Sequence, residues 1–251
     1  MKGKKIFIIF CLIMVFILAI SFASAGDVGG NSTSVDGASV IKAADTGNNV
    51  VKGDSGSFTQ LNDKIQNAPV NGSVELDRNY TYIEGESVGT GGIVINKDIT
   101  IDGKGYTIDG AGTASIFRIE NNAHVILKNI KFINARGTNG AAISLTSSEN
   151  VEIINSSFIN NVAINNGGAI YSTNVGGSTI TSSLSITCST FIGNKALNGG
   201  AIYVSGSLSS IISSSFRYNS AENNGGSMFT DTGALLYLKL DDMMLDKLPL
   251  T

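Results

Sequence analysis

The sequence predicts an all-β protein built as a parallel β-helix solenoid, with a capping helix at its N-terminal end. Two observations carry this prediction. The phrase "AINNGGAIYS" at 163–172 is nearly respelled as "ALNGGAIYVS" at 196–205, and recurrence at a fixed period marks a structural repeat rather than a catalytic site. Between the repeats, short alternating apolar runs are separated by Gly, Asn or Asp.

The chain opens on "MKGKKIFIIFCLIMVFILAISFASA". Lys2, Lys4 and Lys5 form a basic start, Ile6 to Ile20 are unbroken apolar residues, and Ala23-Ser24-Ala25 is an A-x-A cleavage signal. The apolar run of 15 residues is short of the roughly 20 that span a bilayer. Residues 1–25 are therefore read as a signal peptide cut after Ala25, with membrane contact only through this segment if it stays uncleaved. Cleavage leaves 14 basic against 20 acidic residues, a charge of −6. Cys11 leaves with the signal, so Cys188 is expected to have no partner within the mature chain.

Residues 26–56 are rich in Gly, Ser, Asn and Asp with no apolar period and read as a flexible leader. A helix is expected over 57–68. Ser57 and Gln60 form a capping-box pair, Phe58, Leu61, Ile65 and Ala68 share one face, and Pro69 ends it. Its apolar face suits it to cover the first coil, since a solenoid exposes raw strand edges at its ends.

The β-helix is expected over 57–233. Val74 and Leu76, Ile93 and Ile95, Ile99 and Ile101, Val125 and Leu127, and Val151 and Ile153 alternate with polar residues as short strands do. Phe132, Phe158, Phe191 and Phe216 then set a phase with spacings of 26, 33 and 25. Three residues after the last three comes Asn161, Asn194 or Asn219, and five after comes Ala163, Ala196 or Ala221. The pairs Gly167-Gly168, Gly199-Gly200 and Gly225-Gly226 follow. The first copy is degenerate, with Ala135, Gly137 and Gly140-Ala141 in those slots. A period near 25 is too short for a propeller blade of roughly 40–45 residues. In a parallel coil, equivalent residues stack at roughly 4.8 Å, so Phe falls on Phe. Asn129, Asn155, Cys188 and Ser213, three residues before each Phe, fall into one ladder at a bend. The long middle spacing places an insertion near 172–183 that should bulge from the coil. Residues 234–251 break the Asn/Gly texture and read as an atypical tail, truncated or an improvised cap.

Phe-x-x-Asn followed by Gly-Gly-Ala-Ile, once per coil, resembles the repeats of polymorphic outer-membrane proteins. With "ITIDGKGYTIDG" at 99–110, the texture is similar to the adhesin-like β-helix surface proteins of methanogenic archaea, within the pectin-lyase-like superfamily. That resemblance covers roughly 57–233. It implies a right-handed coil and a secreted or cell-surface adhesin that binds a glycan or cell-surface protein.

Charged residues make up only 15% of the chain, and the acidic balance excludes a nucleic-acid partner. No catalytic, cofactor or metal site is expected. Asp98, Asp102 and Asp109 are the acids nearest a constellation, but Asp102-Gly103 and Asp109-Gly110 have the form of turns. His124 is the only histidine. A polysaccharide-acting lyase or hydrolase is the alternative function, and a non-functional fragment of a longer surface protein is another. Tyr171 and Tyr203 occupy equivalent positions, either as stacking rings or as shape fillers. Sequons at Asn31, Asn71, Asn79 and Asn155 mark glycosylation acceptors.

Overall fold

The computed structural model describes residues 55–146, 150–173, 183–206, 208–231 and 235–239. All fall in one compact unit, Gly53–Thr251. The signal segment and nearly all of the leader lie outside the described residues, as do Asn31 and the stretch 174–182.

The chain winds through four parallel sheets, visited in the same order in each complete coil. Sheet I holds Gly72–Glu75, Ile99–Asp102, His124–Lys128, Asn150–Ile154, Ser183–Thr187, Leu208–Ile212 and Leu235–Lys239. Sheet II holds Gly56–Ser57, Tyr80–Thr81, Thr107–Asp109, Lys131–Ile133, Ser157–Ile159, Thr190–Ile192 and Ser215–Arg217. Sheet III holds Arg136–Asn139, Val162–Asn166, Lys195–Asn198 and Ser220–Asn224. Sheet IV holds Ile93–Ile95, Phe117–Ile119, Ile143–Thr146, Ile170–Thr173, Ile202–Ser205 and Met228–Thr230. The protein is thus an all-β solenoid of six coils, counted on sheet IV, with one helix among the described residues.

The sequence phase is the spatial register. Phe132, Phe158, Phe191 and Phe216 pair directly in sheet II. Val125, Val151 and Leu184 do so in sheet I. The inward apolar positions, such as Ile93 and Ile95, Val125 and Leu127, and Val151 and Ile153, form one continuous core. The phenyl rings stack at 4.8, 4.7 and 4.7 Å, with planes within 10°. Phe158 and Phe191 are fully buried. Phe216 is only half-buried, since no described ring covers its far face.

Two expectations for the ends change. Gly56 and Ser57 pair with Tyr80 and Thr81, so the leader gives way to sheet one residue earlier than its composition suggests. At the other end, Leu235–Lys239 pairs residue for residue with Leu208–Ile212. The segment assigned to an atypical tail therefore begins as a further strand of sheet I.

The helix runs Phe58–Asn67, with Ser57 as N-cap and both capping-box hydrogen bonds formed. Phe58, Leu61 and Ile65 are fully buried against the first coil. The helix has no acid in its first turn, where negative charge is favoured. Glu86 supplies it from another strand connection. Its carboxylate accepts the N–H groups of Thr59 at 2.6 Å, Ile83 at 2.8 Å and Phe58 at 3.3 Å. Burial alone would raise this carboxyl, but the donors bring it below the usual range. At the other side, Lys64 reaches Asp77 at 2.9 Å and the Tyr80 hydroxyl donates to Asp77 at 2.7 Å. The Lys64 and Tyr80 donors hold the Asp77 carboxyl well below its ordinary value. Both shifts are depressions, so their stabilisation is present above about pH 4 and is lost as pH falls through the folded values. Amide exchange protection across Phe58–Asn67 should weaken below that pH while the central coils stay protected. Glu86→Gln should make that dependence shallower, and unchanged acid sensitivity would exclude Glu86 from the cap.

The Gly-Gly pair has two separate reasons. Gly167, Gly199 and Gly225 sit at φ of 61°, 61° and 62°, a left-handed conformation that penalises a side chain. Gly168 and Gly200 have no such φ. A Cβ on Gly168 would collide with the Gly200 carbonyl oxygen of the next coil, and one on Gly200 with that of Gly226. Gly200→Ala should therefore destabilise by about 1–3 kcal/mol or more. Gly112, with φ of 69° and open space around it, should cost only about 1–2 kcal/mol on the same change. Equal losses in denaturant titrations would mean that coil spacing does not fix the pair.

Candidate functional site

Asparagine forms three distinct ladders. The first is internal. Asn161 and Asn194 are completely buried. Asn161 Nδ2 donates to Asn194 Oδ1 at 2.9 Å and Asn194 Nδ2 to Asn219 Oδ1 at 2.9 Å. The second amide protons go back to the carbonyls of Phe132 and Phe158 at 3.2 and 3.0 Å. This ladder holds coils together, since buried polar groups need partners.

The second ladder lies at the bend before each Phe. Asn129, Asn155, Cys188 and Ser213 all have positive φ, between 47° and 57°. Asn155 Nδ2 donates to Asn129 Oδ1 at 2.8 Å, and Asn129 Nδ2 to Asp102 Oδ1 at 2.9 Å. Cys188 takes the third position of this ladder and is buried; the expectation that it has no partner in the mature chain turns on Cys11, which lies outside the described residues. One residue further on, Ser156, Ser189 and Ser214 form a buried hydroxyl ladder. Ser156 N donates to Ser189 Oγ at 3.2 Å and Ser189 N to Ser214 Oγ at 3.1 Å. Sequence reasoning missed this row, although "NSSF", "CSTF" and "SSSF" carry its signal.

The third ladder is on the outside. Asn166 Nδ2 donates to Asn139 Oδ1 at 3.1 Å, Asn198 Nδ2 to Asn166 Oδ1 at 3.0 Å, and Asn224 Nδ2 to Asn198 Oδ1 at 3.0 Å. Each rung immediately precedes the left-handed glycine that turns the chain from sheet III to sheet IV. Beyond that turn, the outward positions of sheet IV carry Ser144, Tyr171, Tyr203 and Phe229 in register. Thr146, Thr173 and Ser205 form a parallel hydroxyl row two residues along. The close approach of Gly140 to Tyr171 and of Gly225 to Phe229 leaves no room for a Cβ there.

Tyr171 and Tyr203 stack on each other at 5.5 Å and 24°, and Tyr203 meets Phe229 at 5.4 Å and 34°. Both faces of Tyr203 are therefore occupied. Its hydroxyl donates to Asp231 Oδ2 at 2.9 Å, and burial, with Asp231 adding to it, pushes the phenol up to about 12. The two tyrosines are thus shape fillers towards each other. Tyr171, by contrast, has a described ring against one face only.

The acids considered for catalysis sit at structural posts. Asp102 Oδ1 accepts the Lys104 N–H at 3.0 Å besides the Asn129 amide. Asp109 Oδ1 accepts from Ala111 N at 2.8 Å and Asn134 Nδ2 at 3.2 Å. Asp98 Oδ1 accepts the His124 N–H at 2.7 Å. Each of the first two turns a bend, and Asp102 also heads the second Asn ladder. His124 Nε2 lies 3.3 Å from Asn150 Nδ2 and 4.0 Å from Glu152 Oε1 on the outer face of sheet I. Among the described residues, no group of three or more His, Cys, Asp and Glu is placed to hold a metal. No described helix is long and apolar enough to cross a membrane. Of the sequons, Asn71 is exposed, Asn79 Oδ1 accepts from Thr107 N at 2.9 Å, and Asn155 is a ladder rung.

Fold and site together define a β-solenoid repeat protein with a polar, aromatic-bearing outer face. Residues 155–173 and 189–205 match the Chlamydia polymorphic membrane protein (Chlamydia_PMP) repeat. The matched stretches contain the Phe, internal Asn, Gly-Gly and outer Tyr positions, so the repeat is similar at the residues that build the ladders. No curated protein and no solved structure matches the chain.

Proposed function

We propose that this protein is a secreted or cell-surface, adhesin-like module that binds a glycan or a cell-surface partner without turning it over. The observation that carries the reading is the sheet IV face. There an aromatic column is flanked by an amide ladder on one side and by Thr146, Thr173 and Ser205 on the other. Amides and hydroxyls at a regular spacing of roughly 4.8 Å suit the hydroxyls of an extended saccharide, and aromatic groups suit its apolar faces. Few charges on this face leave it unselective for ions. The similarity to a membrane-protein repeat and the signal-like N-terminus support display outside the cell. The engagement of Asp102 and Asp109 as acceptors in turns, and of Asp98 as acceptor for a backbone N–H of the next coil, supports binding rather than turnover.

The test is the secreted protein on an array of defined oligosaccharides, alongside a reducing-end assay on the same sugars. Retention of a saccharide without new reducing ends is the expected result. Release of reducing ends would replace this reading with a polysaccharide-acting enzyme.

A further inference from the structure

The aromatic column of sheet IV is one rung short. Phe229, Tyr203 and Tyr171 follow each other in register, and the next position is Ser144, then Arg118. One face of Tyr171 is covered by Tyr203. Its other face looks along the column over the small side chain of Ser144. Arg118 closes the far side, with its side chain half exposed and its Nε 3.2 Å from Glu120 Oε2. Arg118 and Tyr171 are two coil steps apart, roughly 9.6 Å at the spacing of parallel strands. A ring needs roughly 3.5–4.0 Å to a neighbour on each side. The space above Ser144 is therefore the thickness of one ring.

We propose that this gap is a subsite for a single neutral pyranose unit of a polysaccharide. The sugar takes the place of the missing aromatic rung, with its C–H face on Tyr171. Its opposite face lies towards the Arg118–Glu120 pair, which presents both donors and acceptors to hydroxyls. The pair has no net charge, so it favours a neutral hexose over a uronate. The Thr146 and Thr173 hydroxyls lie two residues along the same strands and are placed for the neighbouring units. The inference rests on the glycan-binding reading above, and it localises that binding to one position.

Ser144→Tyr would complete the column and occupy the subsite with a ring of the same kind as its neighbours. The full chain and this variant would be titrated with neutral hexasaccharides of glucose, mannose and N-acetylglucosamine, and with a hexauronate. The expected result is that the parent binds a neutral hexasaccharide and that Ser144→Tyr binds it at least tenfold more weakly with an unchanged melting temperature. Tyr171→Leu, which keeps apolar bulk but removes the ring, should lose binding similarly and serves if the first variant does not fold. Undiminished binding by folded Ser144→Tyr or folded Tyr171→Leu would overturn the subsite while leaving the adhesin reading intact. Binding of the hexauronate alone would overturn the neutral assignment. Binding of no saccharide by the parent would remove both the subsite and the glycan reading.

Discussion

Phe191→Ala is expected to destabilise the protein by about 3–5 kcal/mol. The ring is fully buried and lies 4.7 Å from Phe158 on one side and 4.7 Å from Phe216 on the other. Truncation removes two parallel stacks and leaves a void between coils. Those coils cannot close on it, because backbone hydrogen bonds on all four sheets fix their spacing. Phe216→Ala should cost less, since that ring is half-buried and has a described ring on only one face. Denaturant unfolding of both variants measures the difference. A loss at Phe191 below about 1 kcal/mol, the range of ordinary surface changes, would mean that the stack contributes little.

Asn194→Leu is expected to be as damaging, although leucine is similar in size and more apolar. The Asn194 side chain makes hydrogen bonds in both directions along the solenoid. Its Oδ1 accepts from Asn161 N at 3.1 Å and Asn161 Nδ2 at 2.9 Å. Its Nδ2 donates to Asn219 Oδ1 at 2.9 Å and Phe158 O at 3.0 Å. Leucine strands the Asn161 donors and the Phe158 carbonyl where no water reaches. Each orphaned group costs about 1–3 kcal/mol, so two or three of them amount to about 2–9 kcal/mol. In a solenoid each coil contacts only its neighbours, so the damage should be local. Limited proteolysis should cut first within 157–224, and cutting that starts at the helix-capped end would contradict a ladder-centred weakness. By contrast, Asn198→Leu on the outer ladder should cost far less, because water can serve the groups it leaves.

The contrast between those two asparagines shows where the sequence was legible. Its period, phase and turn residues were enough to place Phe on Phe and to put Asn129 beneath Asn155. The capping box at Ser57 and Gln60 was enough for the helix. These are local signals: spacing along the chain translates directly into register once strands run parallel.

Which asparagine is buried was not legible. Asn161, Asn155 and Asn166 lie within a dozen residues of one another, yet they serve the interior, a bend and the outer face. That assignment depends on how each coil closes and on groups 25 to 33 residues away that arrive only when it does. Glu86 at the helix start is another such group, as its partners are 27 and 28 residues distant. The same holds for Ser144. In the chain it is one more serine in a degenerate repeat copy, and the sequence by itself determined only its phase. The tertiary structure decided that it stands in an aromatic column between Arg118 and Tyr171, because neighbours along a solenoid are set by the stacking of coils and not by the order of residues.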